Sequence, residues 1–341
     1  MKRRFLMRIA SSICGISVLI FLTLGSIAFA GLDDVSLNDL DLLTVSTTEP
    51  MFTITALSRF DGKSGNPAYV SAEGEIFDRS SLRLWSTGNH MALHASGQEL
   101  TYELKTLSPH KEPKIDDLEP VGLLVVTLAE LKTYNGMDGK KSYVAVEGKV
   151  YDFSRLNRWP SGSHQRGMHL AGNELTSELL KDSPHGIRKI SGVDAIAILG
   201  ITIDELKEMD GHDGRKAYVS VEGKVYDVSE LSLWRNGSHQ GDLHLAGNDL
   251  TKEILAESPH GVAKLDKAYL VGLLVFTREQ LARFNGIAES KKYIAYDSVV
   301  FDVSDLGLWE LDSGVELSGE EYAAAIELLQ QAIRVGYLVN N

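Results

Sequence analysis

A chain of 341 residues with 43% hydrophobic and 24% charged side chains has the make-up of a folded globular protein of more than one domain. Its formal net charge of -13 argues against nucleic acid as a partner, because phosphate binding needs clustered Lys and Arg, and suits basic protein partners. The one cysteine, Cys14, rules out a disulfide framework.

The chain opens on an export signal. Lys2, Arg3, Arg4 and Arg8 precede an apolar run from Ile9 to Phe29, and Ala28-Phe29-Ala30 has the small-x-small form of a cleavage site, giving a signal over 1–30. An uncleaved anchor is the competing reading, since about 18 apolar residues can span a bilayer. Cleavage would place the protein in the periplasm or outside the cell. Retention would tie it to the inner membrane, the only membrane contact expected. Residues 31–50 contain no Lys or Arg and form an acidic leader, or a short Leu-patterned helix.

Beyond the leader the chain repeats itself. Trp85, Trp159, Trp234 and Trp309 are 74, 75 and 75 residues apart, and Tyr69, Tyr143, Tyr218 and Tyr293 keep the same step. The step is longer than a solenoid unit and long enough for a small domain, so four units are expected: 51–124, 125–200, 201–275 and 276–341. The first carries His90, His94 and His110, and the second His164, His169 and His185. The third shows the grammar best. Thr202 caps a short amphipathic helix at Ile203–Leu206. The loop 210–214 leads to a hairpin of Ala217–Val221 and Lys224–Val228 about Glu222-Gly223. Trp234 and a Gly-rich loop with His239 and His244 follow. A helix over Leu250–Leu255, capped by Asn248 or Asp249, stops at Pro259, before His260. Val271–Val275 returns as a strand and enters the fourth unit, which keeps Tyr293, Phe301-Asp302-Val303-Ser304 and Trp309 but has no histidine. There Ser318-Gly319-Glu320-Glu321 is expected to replace the Ala-Gly-x-acidic turn, before a long helix to about Arg334. Short helices mixed with short strands make the fold class α+β.

Nine of the ten histidines thus fall in three triplets in register, and only His212, in a polar loop, stands apart as a solvent-exposed turn residue. Scattered surface histidines would not keep their places relative to Trp, Gly and Pro. In each triplet two histidine-bearing loops flank one helix. Two imidazoles meeting across an apolar slot is the arrangement of bis-histidine haem ligation. A structural zinc site wants four ligands, and no cysteine is at hand; a three-histidine zinc with water would want a general base that this apolar setting lacks.

The motifs Ala217-Tyr218-Val219, Val225-Tyr226-Asp227-Val228-Ser229, Trp234, Gly237-Ser238-His239, Ala246-Gly247-Asn248-Asp249-Leu250-Thr251 and Pro259-His260-Gly261 together resemble small bacterial domains of the cytochrome b5 superfamily. The resemblance runs from about Met51 to Val339 and implies four tandem small cytochrome b5-like domains after the signal segment. It implies axial ligands on either side of the Ala-Gly-x-acidic helix: His110, His185 and His260 on one side, and His90, His164 and His239 on the other. The loop after the earlier histidine is shorter than in cytochrome b5 and the His-Pro-Gly-Gly motif is absent, so His94, His169 and His244 stand as alternative first ligands. The first unit has Ser96-Gly97 for Ala-Gly and Lys111 after His110, and is still expected to bind. The fourth reads as a unit that kept the fold and lost the metal.

These features imply up to three noncovalent haem b groups and an electron-transfer role with basic redox partner proteins, not an enzyme. No nucleophile–base pair, phosphate loop or further cofactor fingerprint is present. The alternative is storage or binding of haem or a small hydrophobic ligand without a relay. Covalent attachment needs Cys-x-x-Cys-His, which the chain lacks. Acidified organic solvent should therefore extract all haem from the purified protein; haem left on the polypeptide would overturn this.

Overall fold

The computed structural model describes residues 48–85, 87–90, 94–108, 118–183, 190, 192–257, 261–287, 290–306, 314, 316–317, 329 and 331–341. The apolar N-terminal segment, most of residues 31–50, His110, His185, His260 and Trp309 lie outside them. Among the described residues no helix is long and apolar enough to cross a membrane.

Five strands organise the chain: Met51–Thr53, Pro120–Thr127, Ala195–Thr202, Tyr269–Phe276 and Ile333–Asn340. Each runs parallel to the next, and the last pairs with the first through Met51 and Val339, so the five close into a small parallel barrel. Closure removes the edges an open sheet would expose. It also buries both faces, which is why these strands are near-continuous runs of Val, Leu and Ile; every residue of Ala195–Thr202 is buried.

Met51, Leu123, Val125, Ile198, Leu273, Val275, Tyr337 and Val339, drawn from all five strands, belong to one buried cluster that fills the barrel. The intervening side chains, such as Leu124, Val126, Leu199, Ile201, Leu274 and Phe276, pack with Leu131, Leu206 and Leu281 of the short helices. Tyr337 puts a ring into the narrow interior, and Gly200 makes room: a Cβ there would lie 2.5 Å from Val125 and 3.1 Å from Val275.

Each later barrel strand serves two partners. Its first half pairs antiparallel with the hairpin of its own repeat, as Lys224–Asp227 does with Tyr269–Leu273, and its second half pairs with the next barrel strand. A register shift marks all four hairpin junctions, and such irregularities bend a strand from one sheet into another. The boundaries 124/125, 200/201 and 275/276 consequently fall inside strands. Each repeat adds a small core on the far side of its hairpin, built on Trp85, Trp159 or Trp234 in the first three and on Ile294, Val303, Leu317 and Leu329 in the fourth.

The barrel strands end in Thr53, Thr127, Thr202 and Thr277, and each threonine caps a short helix. The last three form complete capping boxes with Glu130, Glu205 and Gln280. The first helix has Ala56 at that position, and Glu130 of the next repeat reaches across to accept from the Thr55 N–H at 2.8 Å. Glu205 does the same for Ala129 at 2.7 Å. At the third junction the neighbour is Asp204, whose carboxylate would repel a glutamate; Gln280 stands there and donates to it at 2.9 Å.

Two expectations for the elements change. The third-repeat helix is a single α turn at Thr251-Lys252 that widens into a π turn over Glu253–Glu257, while Asn248–Asp249 is a short strand beside Val219-Ser220. The long helix expected in the fourth repeat lies almost wholly outside the described residues; Leu329 is helical, and Arg334 already belongs to the fifth barrel strand, Ile333–Asn340.

The turn expected at Ser318–Glu321 lies outside the described residues, and the described ones place its equivalent earlier in the chain. Gly314 donates to the Tyr293 carbonyl at 2.7 Å as Gly247 does to Tyr218, and Glu316-Leu317 pairs with Ala295-Tyr296 as Asn248-Asp249 pairs with Val219-Ser220. The equivalent stretch is therefore Ser313-Gly314-Val315-Glu316-Leu317. It begins four residues after Trp309, against twelve from Trp234 to Ala246, so this repeat has lost the whole histidine-bearing loop.

Filling the barrel interior at Gly200 should be costly. Gly200→Ala is expected to lower stability by about 1–3 kcal/mol. Gly192→Ala, whose added Cβ would meet nothing within 4 Å, should be near neutral. Denaturant midpoints measure both, and equal midpoints would mean the interior is slack.

Candidate haem site

The site is a two-residue hairpin repeated three times. Ser238–His239 pairs antiparallel with His244–Leu245, setting His239 opposite His244; Ser163–His164 and His169–Leu170 set His164 opposite His169, and Asn89–His90 and His94–Ala95 set His90 opposite His94. The turn of the third hairpin is held by Asp242, whose N–H donates to the Ser238 hydroxyl at 3.1 Å. The glycine of each Gly-x-His sequence has a steric reason. Gly88, Gly162 and Gly237 take positive φ and press against the carbonyls of Asp61, Asn135 and Asp210, where a Cβ would lie within 1.7–1.9 Å of oxygen.

The Trp of each repeat stacks on the first histidine of its hairpin, with ring centroids 5.1, 5.1 and 5.2 Å apart for Trp85–His90, Trp159–His164 and Trp234–His239. The main chain then orients the imidazole. Nδ1 of His164 lies 2.8 Å from the Arg158 carbonyl and Nδ1 of His239 lies 3.0 Å from the Leu233 carbonyl. A carbonyl can only accept, so Nδ1 carries the proton and Nε2 keeps its lone pair. This is the outer contact that fixes a metal-ligating histidine. No side chain signals it; the carbonyl belongs to the residue before Trp.

The second histidine of each hairpin is more deeply placed. His94, His169 and His244 are 8, 4 and 9% exposed, and Nδ1 of each is buried with no hydrogen-bond partner among the described residues. The two imidazoles of a hairpin lie 5.9–6.1 Å apart between ring centroids. Around them Met168, Leu170, Leu243 and Leu245 are exposed, with Leu84 and Leu233 beside the Trp. Solvent-facing apolar side chains on one small hairpin mark a ligand surface. Among the described residues no group of three or more His, Cys, Asp or Glu side chains could hold a metal ion. The donor set is imidazole nitrogen in an apolar setting, which fits haem and not a closed zinc cage. Of the expected ligands, His90, His164 and His239 and their alternatives share the hairpins, and His110, His185 and His260 lie outside the described residues. His212 is exposed in its loop.

Sequence reasoning missed the role of the acidic residue in each Ala-Gly-x-acidic turn. Glu99 and Glu174 are buried and accept from the N–H of Thr101 and Thr176 at 2.6 and 2.7 Å, capping the segment that leads away from the hairpin. Their other oxygens face Lys141 at 3.3 Å and Lys216 at 3.4 Å, both from the following repeat. Burial pushes both carboxyls up, and the lysines pull them part of the way back. Asp249 is shorter: Oδ1 takes the Thr251 hydroxyl at 2.6 Å, and Oδ2 is buried without a hydrogen-bond partner. Burial raises its carboxyl to about 6, with Thr251 and Lys291 acting to lower it and Glu253 to raise it.

Residues 202–275 match the family model of the Cytochrome b5-like Heme/Steroid binding domain. The same share of the chain is similar to two solved structures. A cytochrome b5 domain protein of Hadesarchaea YNP_N21 is 43% identical, with 22% of this chain and 96% of that chain covered and a TM-score of 0.21. A cytochrome b5 domain protein of Methanococcoides burtonii is 41% identical, with 22% and 95% covered and a TM-score of 0.21. No curated protein matches. A cytochrome b5-like domain is thus present, and it supports haem binding by this chain.

Asp249 carries a pH signature. Its folded carboxyl titrates at about 6 and an unfolded one near about 3.9, so its contribution to stability is complete below the lower value and lost as pH rises through the higher. Asp249→Asn should exceed the wild type in stability by about 2–3 kcal/mol at pH 8, with the advantage fading towards pH 4. Denaturant titrations across that range test this, and a pH-independent difference would refute it.

Proposed function

We propose that this chain is an exported multi-haem b-type cytochrome. Four tandem cytochrome b5-like domains surround a shared barrel, and the first three each hold a noncovalent haem b between two histidines. The ligands are His90 with His110, His164 with His185, and His239 with His260. One observation carries the reading: a Trp-stacked hairpin imidazole recurs in three repeats, with Nδ1 spent on a main-chain carbonyl in the second and third. The fourth repeat, shorter in sequence by the length of the hairpin, has no histidine to offer an iron.

Haem held by two histidines leaves no open position and supplies one-electron exchange, so the role is electron carriage between partners rather than turnover of a substrate. The protein's own part is orientation and exclusion. Trp159 and Trp234 hold the imidazole planes, the Arg158 and Leu233 carbonyls fix the tautomer, and Met168, Leu170, Leu243 and Leu245 provide apolar cover. Backbone anchoring supports His164 and His239 over His169 and His244, whose Nδ1 atoms have no such partner among the described residues. An acidic chain favours basic redox partners, with encounters that weaken as salt rises.

The haem-to-protein ratio of the full chain should be three. His239→Ala or His260→Ala should lower it to two, whereas His244→Ala should leave three six-coordinate low-spin haems. If His244→Ala removes a haem and His239→Ala does not, the first ligands move to His94, His169 and His244. Reversible redox titration supports carriage; ready release of haem to an apo-acceptor without reversible potentials supports storage.

A further inference from the structure

The Glu99 and Glu174 turns join the two halves of a proposed ligand set. Each begins just after the hairpin and starts the segment that runs on towards His110 or His185. What holds these turns comes from outside their own repeat. Lys216 of the third repeat lies 3.4 Å from Glu174 and 3.2 Å from Glu178 of the second, and 3.5 Å from Asp227 of its own. Tyr218, also of the third, donates to Glu174 at 3.2 Å. Lys141 repeats the pattern one unit earlier, 3.3 Å from Glu99, 3.9 Å from Glu103 and 3.6 Å from Asp152. One ammonium therefore gathers two carboxylates of the preceding repeat and one of its own.

The sequence follows this logic round the ring. In the first repeat Asn66-Pro67 stands where the others have lysine. The third repeat has Lys291 after it but Asp249 in place of glutamate. Among the described residues no ion pair within 4 Å joins the two, and Asp249 Oδ2 is left buried without a hydrogen bond. Its acid is held by Thr251 of the same repeat, and the turn reaches the fourth repeat by a different pair, exposed Lys252 with Asp305 at 2.6 Å.

We infer that Lys141 and Lys216 are positioning residues for the ligand-bearing segments of the first and second repeats, so that each of these sites is completed by the repeat that follows, while the buried acid of the third repeat has no such lysine within 4 Å among the described residues. The consequence for haem rests on the function proposed above; the latch itself does not. Neither lysine touches the hairpin imidazoles. Each acts through a buried carboxylate whose second oxygen caps the segment, and an uncompensated buried charge is the penalty for removing the lysine.

The test uses the full chain and two readouts. In apo-protein, hydrogen exchange of peptides within 172–183 should rise about tenfold in Lys216→Met and in Glu174→Gln, the latter a variant that buries no unpaired charge. Lys216→Arg should stay near wild type. The 249–257 peptide should be unmoved in Lys291→Met. In a His90→Ala, His239→Ala background, which isolates the second site, Lys216→Met should speed haem loss to apomyoglobin about tenfold, and Lys216→Arg should restore it. Unchanged exchange in Lys216→Met and Glu174→Gln, or an equal effect of Lys291→Met on the third repeat, overturns the inference. Wild-type protein that takes up no haem would sink the proposed function instead, with the exchange arm still deciding the latch.

Discussion

Everything in this molecule depends on the closure of five parallel strands around a narrow apolar interior. An α+β unit of about 75 residues has a small core of its own, and small cores are marginal. Here each unit lends the end of its last strand to a common barrel, so the burial that a lone unit could not reach is obtained collectively. The cost is independence. A strand such as Ala195–Thr202 pairs with one repeat's hairpin at its start and with its barrel neighbours at its end, so no cut separates neighbouring units cleanly.

The same sharing explains the polar contacts. Side chains that cap one helix reach back into the preceding repeat, as Glu130, Glu205 and Gln280 do, and the lysines at the other end of the hairpins likewise bind carboxylates of the repeat before. These are directional, nearest-neighbour links, the kind that make a repeat array cooperative. The histidine hairpins stand outside this network. They are positioned by tryptophan stacking and, in the second and third repeats, by a main-chain carbonyl, all from within their own repeat, which leaves the imidazole geometry insulated from the junctions even where the segment beyond it is not.

Much of this is legible in the sequence alone. The spacing of Trp and Tyr revealed the units, Glu222-Gly223 the hairpin, and Thr202 the helix cap, because turns and caps are local and written in the residues that make them. Barrel closure was not legible. Met51 and Val339 are neighbours through pairing between distant segments, and a run such as Val271–Val275 says only that it is buried, not beside what. The fourth repeat misled for a related reason. Ser318-Gly319 and Ser313-Gly314 are equally good matches by eye, and only the pairing of Glu316-Leu317 with Ala295-Tyr296 decides between them. The buried acids escaped notice because their lysine partners sit in another repeat, about 40 residues downstream.

Parallel closure also brings the two ends of the folded region together. Met51 and Val339 are paired, and Arg59 donates to the Asn341 carbonyl at 2.6 Å. The seam between them is short, with two residues in register, whereas the other strands are braced by hairpins as well. Tension applied between the two ends would load that seam before any other part of the barrel. Mechanically the molecule is a clasped bracelet, whose weakest link lies at its fastening and not at any of its three histidine hairpins.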